Sequence, residues 1–182
     1  MNKIHALTPE VIAKIAAGQV IERPSNAVKE LIENAIDANA HAIDIHIKES
    51  GFREITVIDD GVGMSETDLA LSVLPHTTSK VKNVDDLLHI ASLGFRGEAL
   101  ASLASVSDIE ISSREEKNTL GNTITVENGN TTTNEKQGMQ KGTRVSIRNL
   151  FAPMPGRKKF LKSGPTEFRH IADVVCGFAL SY

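Results

Sequence analysis

Glu30, Asn34 and Asp37 recur at spacings of four and three residues. In a helix these spacings place all three on one face. An acid and an amide one turn apart suit phosphate chemistry. Asn34 offers a neutral hard oxygen to Mg²⁺, and Glu30 could orient or deprotonate a water. The face lies opposite an apolar stripe of Leu31, Ile32 and Ala35. On this helix alone, the simpler reading is the solvated side of an amphipathic helix.

A second group follows the apolar run Ile55-Thr56-Val57-Ile58, which ends in Asp59-Asp60-Gly61-Val62-Gly63. Asp-Gly pairs form ordinary turns. Two glycines at a strand end also let backbone approach a planar ligand, and Asp59 could accept a hydrogen bond from an exocyclic amine such as adenine's. A third group comprises Thr77-Thr78-Ser79-Lys80 and Gly94-Phe95-Arg96-Gly97-Glu98-Ala99-Leu100. Gly94 and Gly97 bracket what reads as the entry to a helix, where backbone N–H groups bind phosphate well. Gly97 reads equally as a plain helix cap. The chain holds no Gly-x-x-x-x-Gly-Lys-Ser/Thr, so any triphosphate site must use another cradle. His5, His41, His46, His76, His89 and His170 show no metal-ligand spacing.

The elements that must position these groups follow from periodicity. Thr8-Pro9 reads as an N-cap and first helical residue, with Val11, Ile12, Ile15 and Ala16 on one face and Gly18 as the stop. A second helix follows Pro24-Ser25, carrying Val28, Leu31, Ile32, Ala35 and Ile36. Ile43, Ile45 and Ile47 alternate as a strand, and residues 55–58 form another. Helices are expected at about 66–74, 84–91 and 97–105. Strands are expected at 109–112, 123–127 and 143–147, and a final helix runs from Pro165 to the end. The polar segment 128–140 reads as a strand edge or a long hairpin loop. Helices early and strands late predict an α+β sandwich, its helices covering one face of a sheet.

Composition narrows the class. The chain has 182 residues, 40% hydrophobic and 24% charged, with a net charge of -3. This fits a globular protein with a substantial core and excludes a generally polybasic one. No apolar stretch is long enough to span a bilayer and no secretory signal is visible, so no membrane partner is expected. Cys176 is the one cysteine. Its apolar neighbours predict a buried thiol, and a cytoplasmic location fits. Between Lys141 and Arg169 there are eight basic residues and one acid. An acidic body thus carries a basic C-terminal third, which points to a polyanionic partner. Within that third, Arg157-Lys158-Lys159 reads either as a solvated loop or as a contact for nucleic-acid phosphates.

Taken together and in order, the motifs resemble the ATP-binding domain shared by gyrase, heat-shock chaperones, histidine kinases and MutL, known as the GHKL or Bergerat fold. The stretches Ile15 to Pro24, Val28 to Asn34, Thr78-Ser79-Lys80 and Gly94 to Leu100 are similar to signatures of the MutL family of DNA mismatch-repair ATPases. Phe160-Leu161 and Thr166-Glu167-Phe168 continue the likeness.

The resemblance implies a two-layer sandwich with a mixed sheet covered on one face by helices. It implies ATP and Mg²⁺ as cofactors, with Glu30 as the general base and Asn34 as the metal ligand. Asp59 would read adenine with Gly63 beside it, and Thr143 would make a second contact there through water. Lys80, Gly94, Phe95, Arg96 and Gly97 would form the phosphate-binding part of a lid spanning roughly 72–97. The expected partners are a second copy of the chain joined through an N-terminal arm of about residues 1–20, a MutS-type mismatch sensor, a repair nuclease and the DNA backbone. The likeness further implies that residues 1–182 are one ATPase domain, and that a second domain and a dimerisation region follow it in a longer chain. Gln19 stands where the family usually has Glu, Pro75 is unusual in the lid, and Asn39 replaces a common Gly at a helix end, where Asn tolerates a left-handed cap.

Overall fold

The computed structural model of the chain describes residues 5–80, 93–94, 97–127 and 129–182. Among the described residues, six α-helices and six strands form two layers. In chain order they are α1 (Pro9–Val20), α2 (Pro24–Asp37), β1 (Ile43–Lys48), β2 (Glu54–Asp59), α3 (Glu66–Ser72), α4 (Ala99–Val106), β3 (Asp108–Arg114), β4 (Gly121–Glu127), β5 (Asn130–Gln137), β6 (Gly142–Arg148), α5 (Pro155–Lys158) and α6 (Gly164–Ser181). The sheet order is β1-β2-β6-β3-β4-β5. The helix expected at 84–91 lies outside the described residues.

Strand register follows from the alternation of apolar residues. Ile45 pairs with Val57, Val57 with Val145, Val145 with Ile111 and Ile111 with Ile124. Ile47, Ile55, Ile147, Ile109 and Val126 form a parallel row two residues along. Both rows face the helices, so a one-residue slip of any strand would turn its apolar side away from the core. Val28, Leu31 and Ile32 of α2, Leu103 and Val106 of α4, and Ile171 of α6 complete that core. The two-layer α+β arrangement is the expected one. Every ladder among the described residues is antiparallel, however, where a mixed sheet was expected. The reason is β6, which inserts between β2 and β3. Those two strands point the same way, and β6 keeps them from pairing in parallel.

The polar segment after β4 resolves as a hairpin. Its second arm, β5, is the edge strand, joined to β4 through a register shift at Thr125/Val126. An edge strand without a large apolar side chain is a poor template for aggregation.

Two sequence readings need correction. Gly18 does not end α1, which runs on to Val20 with Ile21 as its C-cap. Buried Ala17 and Ile21 anchor that last turn, while Val11, Ile12 and Ile15 stay 40%, 53% and 48% exposed. The predicted apolar face of α1 therefore does not pack on this chain's own core. Cys176 is exposed, not buried. On α6 the inward residues are Ile171, Val174, Val175 and Phe178, and the helical period puts Cys176 on another side. No helix among the described residues is long and apolar enough to cross a membrane.

Candidate active site

Helix α2 forms the floor of a cleft of about 1190 Å³. Proline stands at its start, and Oδ1 of Asn26 accepts the N–H groups of Arg23 at 3.1 Å and Glu22 at 3.3 Å. That bracing satisfies donors that a helix start otherwise leaves unpaired. The buried stripe Val28, Leu31, Ile32 and Ala35 fixes the rotation of α2 against the sheet. Glu30, Asn34 and Asp37 then line the cleft together. Asn39 ends the helix region with φ 56, the left-handed conformation expected of it.

One end of the cleft is built where β2 meets β6. Asp59 pairs with Thr143 across the ladder. Oδ1 of Asp59 accepts N–H of Gly61 at 2.9 Å and N–H of Thr143 at 3.3 Å. Burial pushes the Asp59 carboxyl above its ordinary value of 3.8; those two hydrogen bonds oppose the shift, and neighbouring Asp60 adds to it. Asp60 faces the other way and accepts N–H of His41 at 2.7 Å and of Ala42 at 2.9 Å, which holds the turn shut. Gly63 has φ 72, and a Cβ there would run into the carbonyl of Arg114. The Gly63 backbone thus passes closer to the end of β3 than a side chain allows.

The other end is built by the segments flanking residues 81–92. Lys80 Nζ lies 3.2 Å from Asn34 Oδ1 and 2.6 Å from Asp37 Oδ2. The same Asp37 carboxylate accepts N–H of Leu93 at 2.9 Å and of Gly94 at 3.0 Å. Burial raises the Asp37 pKa, but Lys80 and the two backbone donors outweigh burial and hold it below 3.8. Gly97 has φ 64 and packs directly on the carbonyl of Thr77. His76 Nδ1 and Glu98 Oε1 are 3.2 Å apart beside it.

Of the residues singled out from sequence, Glu30, Asn34, Asp59, Gly63, Lys80, Gly94, Gly97 and Thr143 line this one cleft. Phe95 and Arg96 lie outside the described residues. The donor set fits a hard cation. Two oxygens one helical turn apart, from Asn34 and Asp37, already converge on the ammonium of Lys80. A Mg²⁺ ion has the same preference for oxygen ligands.

Sequence reasoning missed the work of three residues. Asp37 was placed on the right face but given no role. Ser113 of β3 is fully buried, yet its hydroxyl meets Met64, Gly142 and Thr143 behind the cleft wall. Arg157 is only partly free for phosphate, because its Nη2 donates to the carbonyl of Gly18 in α1. No local signal marks Ser113 or Arg157, since each partner lies far away in the chain.

A helix-borne acid and amide, a buried aspartate at a strand end and a glycine-bounded segment define an ATPase class. Residues 21–150 match the model of the histidine kinase-, DNA gyrase B- and HSP90-like ATPase family, and the chain belongs to that family. Within it, the likeness is to MutL. The chain is 49% identical over 180 residues to the DNA mismatch repair protein MutL of Pelodictyon phaeoclathratiforme, covering 97% of this chain and 28% of that protein. It superposes on the Aquifex aeolicus MutL ATPase domain complexed with ADP with a TM-score of 0.67 at 34% identity, covering 88% of this chain and 56% of that one. The N-terminal domain of a DNA repair protein gives a TM-score of 0.77 at 32% identity, covering 92% of this chain and 48% of that one. The chain spans about 28% to 33% of the length of the MutL relatives it matches.

Proposed function

We propose that the cleft binds ATP with Mg²⁺ and hydrolyses it as the N-terminal switch of a MutL-type mismatch-repair protein. The observation that carries this reading is the convergence of Glu30, Asn34 and Asp37 from one helix face with Asp59 and Thr143 from a strand end on one cleft. The adenine lies at the Asp59 end, where the backbone of Gly63 lets the base approach. The phosphates lie toward Lys80, Gly94 and Gly97, where the Lys80 ammonium neutralises their charge. Asn34 would hold Mg²⁺, which would supply charge neutralisation for the phosphates. Lys80 leaves the oxygen of Asn34 when nucleotide loads, and moves to the phosphates. Glu30 positions the attacking water and accepts its proton.

The rest of the reading concerns a longer protein. The exposed side chains of Val11, Ile12 and Ile15 support an N-terminal arm that packs on a second copy once ATP is bound. Such a dimer would link a MutS-type mismatch sensor to a downstream nuclease, and the basic segment 141–169 would touch the DNA backbone weakly and without sequence preference. Calorimetric titration of a non-hydrolysable ATP analogue, with and without Mg²⁺, tests the core of this. Binding that tightens with Mg²⁺ is the expected result. Heat signals that are absent in both arms would refute the site.

A further inference from the structure

His76 and Glu98 belong to the two segments that flank residues 81–92, and both line the cleft. Nδ1 of His76 lies 3.2 Å from Oε1 of Glu98. The backbone on both sides brings them there. His76 has φ 61, a left-handed conformation that few residues other than glycine adopt. Beside it, the Thr77 hydroxyl lies 2.7 Å from the carbonyl of Leu71 and 2.8 Å from that of Leu74. Gly97 packs on the Thr77 carbonyl from the other segment. Two braced turns therefore place the pair. The imidazole itself is 83% exposed. With Nδ1 facing Glu98, Nε2 on the other side of the ring is left for a ligand.

Charge decides what that ligand is. Among the described residues, each ammonium lining the cleft already faces a carboxylate. Lys29 Nζ lies 2.7 Å from Glu33 Oε1, and Lys80 Nζ lies 2.6 Å from Asp37 Oδ2. Glu98 adds another carboxylate at the Lys80 end, where a bare negative charge would repel phosphates. Histidine can take up a proton near neutral pH, and an imidazolium donates from both ring nitrogens. Placed between Glu98 and a phosphate, it neutralises the first and donates to the second. Among the described residues, Glu98 alone lies within ion-pair distance of His76. Lys80 is turned to Asp37, Asp68 of α3 to the Ser65 hydroxyl, and Glu66 of α3 to Lys136.

We propose that His76 is a further phosphate-binding residue of this cleft, its Nε2–H donating to a phosphate oxygen of the nucleotide while Glu98 holds the ring as a positioning residue. The inference rests on the ATP reading above. Loading of nucleotide then draws a proton from solvent onto the imidazole. Nδ1–H goes to the Glu98 carboxylate and Nε2–H to the phosphate, and no covalent bond of the nucleotide changes. The bond to phosphate is charge-assisted at both ends, which makes it stronger than a neutral one. Asp37 and Lys80 close the inner side of this end of the cleft, and the His76–Glu98 pair supplies a second cation for the polyphosphate.

The test is calorimetry of a non-hydrolysable ATP analogue with Mg²⁺ on the intact chain and on His76→Asn. Asparagine tolerates the left-handed backbone and keeps an N–H donor for Glu98, but it cannot take up a proton. Runs in buffers of different ionisation enthalpy count the protons bound with the analogue. Wild-type protein is expected to take up more protons per analogue than His76→Asn, and to bind it about tenfold more tightly near neutral pH. On the His76→Asn background, Glu98→Gln should recover part of the lost affinity, because the unneutralised carboxylate is gone. Equal proton uptake in wild type and His76→Asn, with the analogue bound by both, would overturn the proposal and leave the pair a structural tie. Failure of the wild-type protein to bind the analogue would overturn the ATP reading as well.

Discussion

The ammonium of Lys80 sits 2.6 Å from Oδ2 of Asp37, and that carboxylate also takes the backbone N–H groups of Leu93 and Gly94. One side chain on α2 thus clasps both segments that flank residues 81–92. Burial alone would raise the Asp37 pKa, but its donors reverse the shift and hold it below 3.8. For a carboxyl depressed on folding, the stabilisation is present above the unfolded value and is lost only as pH falls through the lower folded value. The clasp is therefore fully formed at neutral pH.

Asp37→Ala removes all three acceptor contacts at once. Hydrogen bonds to a charged group are each worth about 1.5–3 kcal/mol, so local opening becomes at least roughly tenfold more frequent. Amide hydrogen exchange at Gly94 is the measurement, and a rate within twofold of wild type would contradict the clasp.

Asp59 titrates in the opposite sense. Burial lifts its pKa above 3.8, so the folded state takes up a proton there more readily than the unfolded chain does. Its ionised form costs stability above the folded pKa, and the cost is relieved as pH falls through that value toward 3.8. Asp59→Asn should accordingly raise the melting temperature of the nucleotide-free protein at pH 7. Its amide can still accept from Gly61 and Thr143, but it turns an NH₂ toward the base, and nucleotide affinity should fall about ten- to a hundredfold. Thermal unfolding and calorimetry on the same sample check both halves.

Glu30 lines the cleft one turn before Asn34. Glu30→Gln keeps the shape and a hydrogen-bonding oxygen but cannot take a proton from water. A general base contributes about 10²–10⁴-fold, so turnover measured in the longer protein should fall by that factor while ATP affinity changes little. Undiminished turnover would remove Glu30 from its role.

What was legible in the sequence depended on distance along the chain. The stripe on α2 and the alternation in β1 are periodic over single elements, so the helix face bearing Glu30 and Asn34 could be read directly. Asn39 was legible for the same reason, as a left-handed residue after a helix end. Ser113, Thr143 and Met64 meet only because β3 lies beside β6 and the Gly63 turn folds onto the end of β3. Pairing over such spans leaves no periodic trace. The exposure of Val11, Ile12 and Ile15 was not legible, because periodicity reports a face without saying what covers it. The polar edge strand β5 was ambiguous for a related reason, as its pairing with β4 depends on backbone hydrogen bonds and supplies no apolar pattern.

Arg157 and its neighbours divide the basic cluster into two functions. The guanidinium of Arg157 donates to the carbonyl of Gly18, and a Cβ at Gly18 would lie 3.1 Å from that nitrogen. Gly18 thus makes room for Arg157, which pins the turn of α1 that carries Gln19 and Val20 into the cleft wall. Lys158 and Lys159 are exposed and free of ion pairs among the described residues. Arg157→Ala should cost about 1 kcal/mol, roughly 2–4 °C in melting temperature, and loosen α1 without much change in the salt dependence of DNA binding. The double change Lys158→Ala, Lys159→Ala should do the reverse. Stability stays near wild type, while the slope of log affinity against log salt shrinks by about 1.8 for two lost phosphate contacts on duplex DNA. Equal slopes for the double variant and the wild type would exclude these lysines from the DNA surface. A melting temperature unchanged in Arg157→Ala would exclude the tie to Gly18.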